Sequence, residues 1–146
     1  MPNQRRHVVS YRSGLEQINA EHLRVEGVPY EYEVLRIPFL QPAKMRQYTP
    51  DFLLLRNGIL IETKGQFATE DRQKHILIRE QHPLIDLRFV FSNPRAKIYK
   101  GATTTHAVWA EKHGFLWAAK LIPQAWIEES VNKKSLDYIN KLRSKK

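Results

Sequence analysis

The sequence predicts an α/β domain in which a mixed central β-sheet is flanked by helices. Three observations carry this. Apolar runs flank Asn57-Gly58, a pair that accepts the positive φ a tight hairpin turn requires. Those runs are apolar on both faces, with Phe52, Leu54, Ile59 and Ile61 on one side and Leu53, Leu55 and Leu60 on the other, as for a strand pair covered on both sides. A helical stretch from Thr69 to about Gln81 then separates strand 59–65 from strand 87–91. That βαβ order makes the two strands parallel.

In chain order, residues 1–12 are polar and basic, with Arg5, Arg6 and Arg12, and read as a mobile arm or a phosphate-tracking extension. Ser13-Gly14-Leu15-Glu16 opens the first helix, with Ser at the N-cap and Glu three residues on, the pattern of a capping box. On spacing alone capping is the first job of Glu16 and catalysis the second. Leu15, Ile18 and Val25 form a sparse apolar stripe shared by His22, and Gly27 stops the helix. Tyr30-Glu31-Tyr32-Glu33-Val34 alternates as a strand with both glutamates on its wetter face. From Ile37 to Tyr48, Pro38 and Pro42 argue against a helix or central strand. This stretch, which carries Lys44 and Arg46, therefore reads as an extended connection, long enough to suggest function or chain exchange.

The helix from Thr69 places Glu70 and Asp71 in its first turn, where the dipole favours acids. Ile76, Leu77 and the Arg79 stem are expected toward the core, leaving Arg72 and Lys74 for phosphate. After strand 87–91, Ser92-Asn93-Pro94 turns the chain into an edge strand at 96–99. There Arg95, Lys97 and Lys100 either hold phosphates or guard a sheet edge. A short helix from Thr105 to His113 puts Trp109 in the core. Beyond Glu129 the chain turns basic, with Leu136, Ile139 and Leu142 at helical spacing. This tail reads as a partner-dependent helix, a DNA-clinging extension or a solvated terminus. The expected organisation is an arm at 1–12, one domain at 13–127 and a basic tail at 128–146.

One domain suits 146 residues. The formal net charge of +9, from 24 Lys and Arg against 15 Asp and Glu, favours a polyanionic partner, with nucleic acid first. The chain has no cysteine, which excludes disulfides and Cys-based zinc sites. No apolar run approaches the roughly 18 residues of a membrane span, and no signal-peptide pattern opens the chain. An intracellular protein without a membrane partner is expected.

With Asn57-Gly58 as the turn, Asp51, Glu62 and Lys64 project from one face, because side chains alternate with period two. Asp51 and Glu62 are then diagonal neighbours, roughly 7–8 Å apart by backbone; a four-residue loop would keep the parity. Two carboxylates and an amine at the rim of an apolar sheet cost free energy unless paired or bound to metal. A buried Asp–Lys and Glu–Lys network is the bland reading. The sharper one is a hard divalent ion such as Mg2+, for which Mn2+ substitutes, held beside a substrate phosphate. Lys64 would orient or deprotonate the attacking water.

Pro50-Asp51, a hairpin and Glu62-Thr63-Lys64 resemble the PD-(D/E)xK nuclease superfamily. Further blocks sharpen this: Arg12-Ser13-Gly14-Leu15-Glu16, Tyr48 through Leu54, Leu77-Ile78-Arg79-Glu80-Gln81-His82-Pro83, Glu111-Lys112-His113-Gly114 and Lys120-Leu121-Ile122-Pro123. From about Tyr11 to Ile127 the chain resembles the phage endonuclease I family, the four-way-junction resolving enzymes of T-seven-type phages. The resemblance implies a restriction-endonuclease-like core. It also implies a catalytic and metal-binding Glu16, metal ligation by Asp51, Glu62 and the Thr63 carbonyl with one or two ions per site, and service of the water by Lys64. It implies an intertwined homodimer in which 13–37 is exchanged, 38–48 is the crossover, and Glu16 comes from the other subunit. The sequence of 41–47 and both termini depart from the family pattern.

The expected activity is metal-dependent hydrolysis of DNA phosphodiesters, selective for four-way (Holliday) and other branched double-stranded DNA, inside an infected bacterium. Arg12, Lys44, Arg46, Arg72, Lys74, Arg95, Lys97 and Lys100 are the candidate DNA contacts. Two alternatives remain at this stage. One is a nuclease of the same superfamily acting on linear duplex, and the other is a non-catalytic basic DNA-binding protein.

Overall fold

The structure is a computed structural model and describes residues 10–41 and 44–144. Helix α1 (Gly14–Val25) leads into β1 (Tyr30–Tyr32), then β2 (Ile37–Gln41) and β3 (Lys44–Tyr48), β4 (Phe52–Leu54) and β5 (Ile59–Lys64). Helix α2 (Thr69–Gln81), β6 (Asp86–Phe91), α3 (His106–Lys112), β7 (Trp117–Ala119), α4 (Gln124–Ile127) and α5 (Lys133–Ser144) complete the chain. The main sheet runs β1-β4-β5-β6-β7. β1, β4 and β5 are antiparallel neighbours, while β5–β6 and β6–β7 are parallel. It is the mixed, helix-flanked sheet that the sequence predicts.

Both faces are covered, for the reason the apolar pattern gives. Leu53, Leu60, Leu87, Phe89 and Phe91 pack with Ile78 of α2, Trp109 of α3 and Ile139 of α5. Phe52, Leu54, Ile59, Ile61 and Val90 pack on the other face with Ala20 and Leu23 of α1, Ile122 and Ile127.

The hairpin register differs from the tight turn expected at Asn57-Gly58. Leu54 pairs with Ile59, so the loop is 55–58 and only Gly58 takes a positive φ, +76°. Asn57 is instead buried as a strut. Its amide donates to the Trp126 carbonyl at 2.9 Å, and its Oδ1 accepts from Ile59 N at 3.3 Å. The four-residue loop keeps the parity, so the apolar faces stand as expected.

Several other segments depart from expectation. The stretch Ile37 to Tyr48 is not an open connection but a two-stranded ribbon, β2–β3, in which Pro38 faces Gln47. Pro38 is tolerated because this ribbon has no further strand on either side. Its carbonyl accepts from His82 Nε2, whose Nδ1 accepts from the Tyr138 hydroxyl. Pro42 and Ala43 lie outside the described residues, as does the expected arm through residue 9. Tyr11 and Arg12 are not part of a mobile arm: the Tyr11 ring packs edge-on against Tyr32 at 4.5 Å, and Arg12 N donates to the Tyr32 hydroxyl at 3.4 Å.

Residues 96–99 are bends with one isolated bridge, Lys97 to Thr105, rather than an edge strand. Residues 133–144 form no loose tail. Ile139 is fully buried, and the Ser135 hydroxyl donates to the Gly58 carbonyl at 2.7 Å, so α5 packs against the β4–β5 end of the sheet. On α2 the buried face is Arg72, His75 and Ile78, while Ile76 and Leu77 are only partly buried and Arg79 is exposed.

Candidate active site

The site forms where the β4–β5 ladder ends. Phe52–Ile61 is its last pair; the chain bends at Asp51, and continuing the register would bring Pro50 opposite Thr63. Proline has no N–H to give the ladder, so the groups of Thr63 that point at β4 need other partners. The Asp51 carboxylate takes the Thr63 amide and hydroxyl, both at 2.8 Å. The Thr63 carbonyl points the same way and receives no donor from Pro50. The four-residue loop shifts the register expected from the sequence, so that continuing it would set Asp51 opposite Glu62 rather than diagonal to it.

Their environments push their titrations apart. Asp51 is buried, and its carboxyl is pushed up to about 8, first by burial and then by the negative charges of Glu62 and Glu16, against the lowering effect of the Thr63 donors. Burial also raises Glu62, but the imidazole of His75, the Lys64 charge and the Tyr48 hydroxyl outweigh it, holding Glu62 below the usual carboxylate range. Tyr48 donates to Glu62 Oε1 at 2.8 Å, and His75 Nε2 lies 3.9 Å from that oxygen. At neutral pH Glu62 is the anion and Asp51 holds a proton that a bound cation would displace.

Glu16 reaches this end of the sheet from α1. Its amide donates to the Ser13 hydroxyl at 3.1 Å, the first half of a capping box. Its buried carboxylate accepts from the Tyr32 hydroxyl, whose pKa is raised by burial and then by Glu16 itself. The residue thus serves the helix through its backbone and the site through its side chain.

Glu33 joins them. Oxygen atoms of Glu16, Glu33 and Asp51 lie within 4.8 Å of one another. β1 ends at Tyr32, and Glu33 turns out of the strand with φ +51° while its amide donates to the Asp51 carbonyl at 3.1 Å. Reading Glu33 as part of a solvated alternation missed it, because no residue type at 33–34 marks the break.

Lys64 is aligned by Asp71, at 3.6 Å, which also holds Lys74 at 3.7 Å. Lys74 and Arg46 line a groove of about 810 Å3 between the β2–β3 ribbon and α2. Arg12 lies at the rim, 3.6 Å from Glu33; Lys44 is exposed on the ribbon. Arg95, Lys97 and Lys100 are exposed on the loop after β6. That loop starts at the same sheet end, where Ser92 N donates to the Lys64 carbonyl at 3.0 Å. Arg72, a candidate phosphate contact, faces inward instead. It is 7% exposed, and its guanidinium is spent on the Phe67 and Ile98 carbonyls and the Thr69 hydroxyl.

The site is thus built from oxygen donors, the set that suits a hard divalent cation rather than a soft one. Among the described residues no helix is long and apolar enough to cross a membrane. Comparison with known proteins agrees with the motif reading over a longer span. The chain is 47% identical over 141 residues to endonuclease I of Escherichia phage T7, covering 97% of this chain and 94% of that protein. It is 50% identical over 137 residues to endodeoxyribonuclease 1 of Enterobacteria phage T3, covering 94% and 88%. The phage endonuclease I family model matches residues 1–146, and the chain belongs to that family.

Proposed function

We propose that this protein is a metal-dependent endodeoxyribonuclease that resolves four-way and other branched DNA, acting inside an infected bacterium. What supports the reading is the approach of oxygen atoms of Glu16, Glu33 and Asp51 to within 4.8 Å of one another, with the charges of Glu62 and Lys64 felt at the same end of the sheet. Asp51, Glu62, Glu16 and the Thr63 carbonyl would hold Mg2+ or Mn2+, with Glu33 beside them. A bound ion supplies positive charge to the scissile phosphate and acidifies the nucleophilic water. Lys64 adds charge at the phosphate or takes the proton of that water. Arg12, Lys44, Arg46, Lys74, Arg95, Lys97 and Lys100 give an electrostatic surface that tracks backbones, so a junction is read by shape rather than by base edges.

The active form is a homodimer with exchanged N-terminal segments. Within one chain, α1, β1 and β2 join the rest through the β2–β3 ribbon. Opening that ribbon would let the same contacts form between two chains, at little cost in packing. Leu40 and Met45, opposite one another on the ribbon, are 54% and 61% exposed, which suits a strand pair that a second copy covers.

Cleavage of a four-way junction, compared with linear duplex of matching arms in Mg2+ and in chelator, tests the activity. Junction cutting that needs metal and is lost in Glu62→Ala and Lys64→Ala is the expected result. Preference for linear DNA would overturn junction selectivity, and normal cutting by both variants would overturn the catalytic assignment. A mixed dimer of Glu16→Ala and Asp51→Ala chains tests exchange. With exchanged segments one site carries both lesions and the other neither, leaving a single nicking centre; complete inactivity refutes exchange.

A further inference from the structure

Helix α2 approaches the site with polar residues where an apolar face is expected. Asp71 and His75, four apart, span about 6 Å along the helix. Glu62 and Lys64, two apart on β5, span about 6.6 Å. Because α2 runs back along the strand, the two spacings match: Asp71 meets Lys64 at 3.6 Å, and His75 meets Glu62 at 3.9 Å.

His75 is fully buried. Its Nδ1 donates to the Asp71 carbonyl at 2.8 Å, one turn earlier, so Nε2 is a donor toward Glu62 only when the ring carries both protons. Its Nε2 is buried without a hydrogen-bond partner among the described residues, an arrangement that is costly unless something is aimed at. What it faces is Glu62 Oε1, the oxygen that Tyr48 already holds. Tyr48, Phe67 and Phe89 wall the imidazole in, with ring centroids 5.2, 6.2 and 5.0 Å away, so its plane is fixed.

We infer that His75 and Tyr48 are the positioning residues of Glu62, clamping Oε1 from the α2 side so that Oε2 is presented toward the metal. This inference rests on the metal-binding reading above. Outer partners of a ligand fix its orientation and are worth about 10–100-fold in metal affinity or activity.

The test uses the full-length protein and Mn2+ alone, titrated calorimetrically, followed by DNA cleavage at varied Mn2+. Tyr48→Phe removes only the hydroxyl. His75→Asn keeps a donor near Nδ1 for the Asp71 carbonyl but nothing at Nε2, whereas His75→Gln reaches the Nε2 position and restores a donor to Glu62. Expected are a Mn2+ affinity about 10–100-fold weaker in Tyr48→Phe and His75→Asn, recovery in His75→Gln, and cleavage that falls in kcat with KM for DNA unchanged. Thermal unfolding in chelator checks that each variant is folded; if His75→Asn is not, Tyr48→Phe decides. Wild-type Mn2+ affinity in the folded variants would overturn the inference, as would a His75→Gln no better than His75→Asn. Failure of the wild-type protein itself to bind Mn2+ would instead overturn the metal reading on which it rests.

Discussion

Asp51→Asn isolates the cost of crowding carboxyls at the sheet end. In the folded chain Asp51 titrates at about 8, against an ordinary value of 3.8. Between those values the folded state keeps a proton that the unfolded chain has released. The unfolded state therefore gains as pH rises, and this group's contribution to stability falls by up to about 1.4 kcal/mol per pH unit. Asparagine keeps an oxygen for the Thr63 amide, now 2.8 Å from Asp51, and has nothing to ionise. In chelator, the stability of wild type relative to Asp51→Asn should drop by about 3 kcal/mol between pH 5 and pH 7. Urea unfolding at a series of pH values measures this difference, because titrating groups away from the Asp51 cluster cancel between the two proteins. Adding Mn2+ at pH 7 should then stabilise wild type and leave Asp51→Asn unchanged. Parallel pH profiles for the two proteins would refute the claim that Asp51 is held protonated by its surroundings.

Three further outcomes follow from the same geometry. Arg72→Lys loses the planar fork that meets Phe67, Ile98 and Thr69 and should destabilise the fold by about 3 kcal/mol; its DNA affinity should keep the wild-type salt slope, since it neutralises no phosphate. Gly58→Ala forces a side chain into φ +76° with its Cβ 2.9 Å from Leu136 N, costing about 1–3 kcal/mol by thermal or urea unfolding. Lys97→Ala, on the exposed loop beside the site, should weaken binding to junction and duplex alike and lower the slope of log affinity against log salt by about 1.

The sheet was legible because apolar alternation reports coverage directly. Phe52, Leu54, Ile59 and Ile61 part from Leu53 and Leu60 by strand parity alone, and parity survives any even loop. The register within that parity was not legible. Asn57-Gly58 is a strong hairpin signal by local propensity, but Asn57 gains more as a buried strut to Trp126 and Ile59. A tertiary partner some seventy residues away outbids the local turn, and no local rule can see it. The ribbon at β2–β3 was missed for a related reason: proline argues against a central strand but is silent on an isolated pair. Glu33 was hidden by the regular alternation of the residues before it, since its role depends on a positive φ at a residue type that seldom adopts one.

The polar face of α2 shows why the candidate site was easier to find than to bound. A hydrophobic-period reading assigns the buried stripe to the apolar residues Ile76 and Leu77, yet Arg72 and His75 are the ones inside. Each is buried because it answers a backbone or carboxylate group that the sheet end leaves exposed. Arg72 collects the carbonyls of the loops on either side of the site, and His75 stands behind Glu62. A carboxylate turned inward there requires an inward-facing partner, and the nearest helix must supply it at the cost of its own amphipathicity. Local rules fail at His75 and at Asp51 for one reason: presenting several oxygen donors at the edge of a dry sheet requires inward-facing partners that apolar periodicity does not foresee.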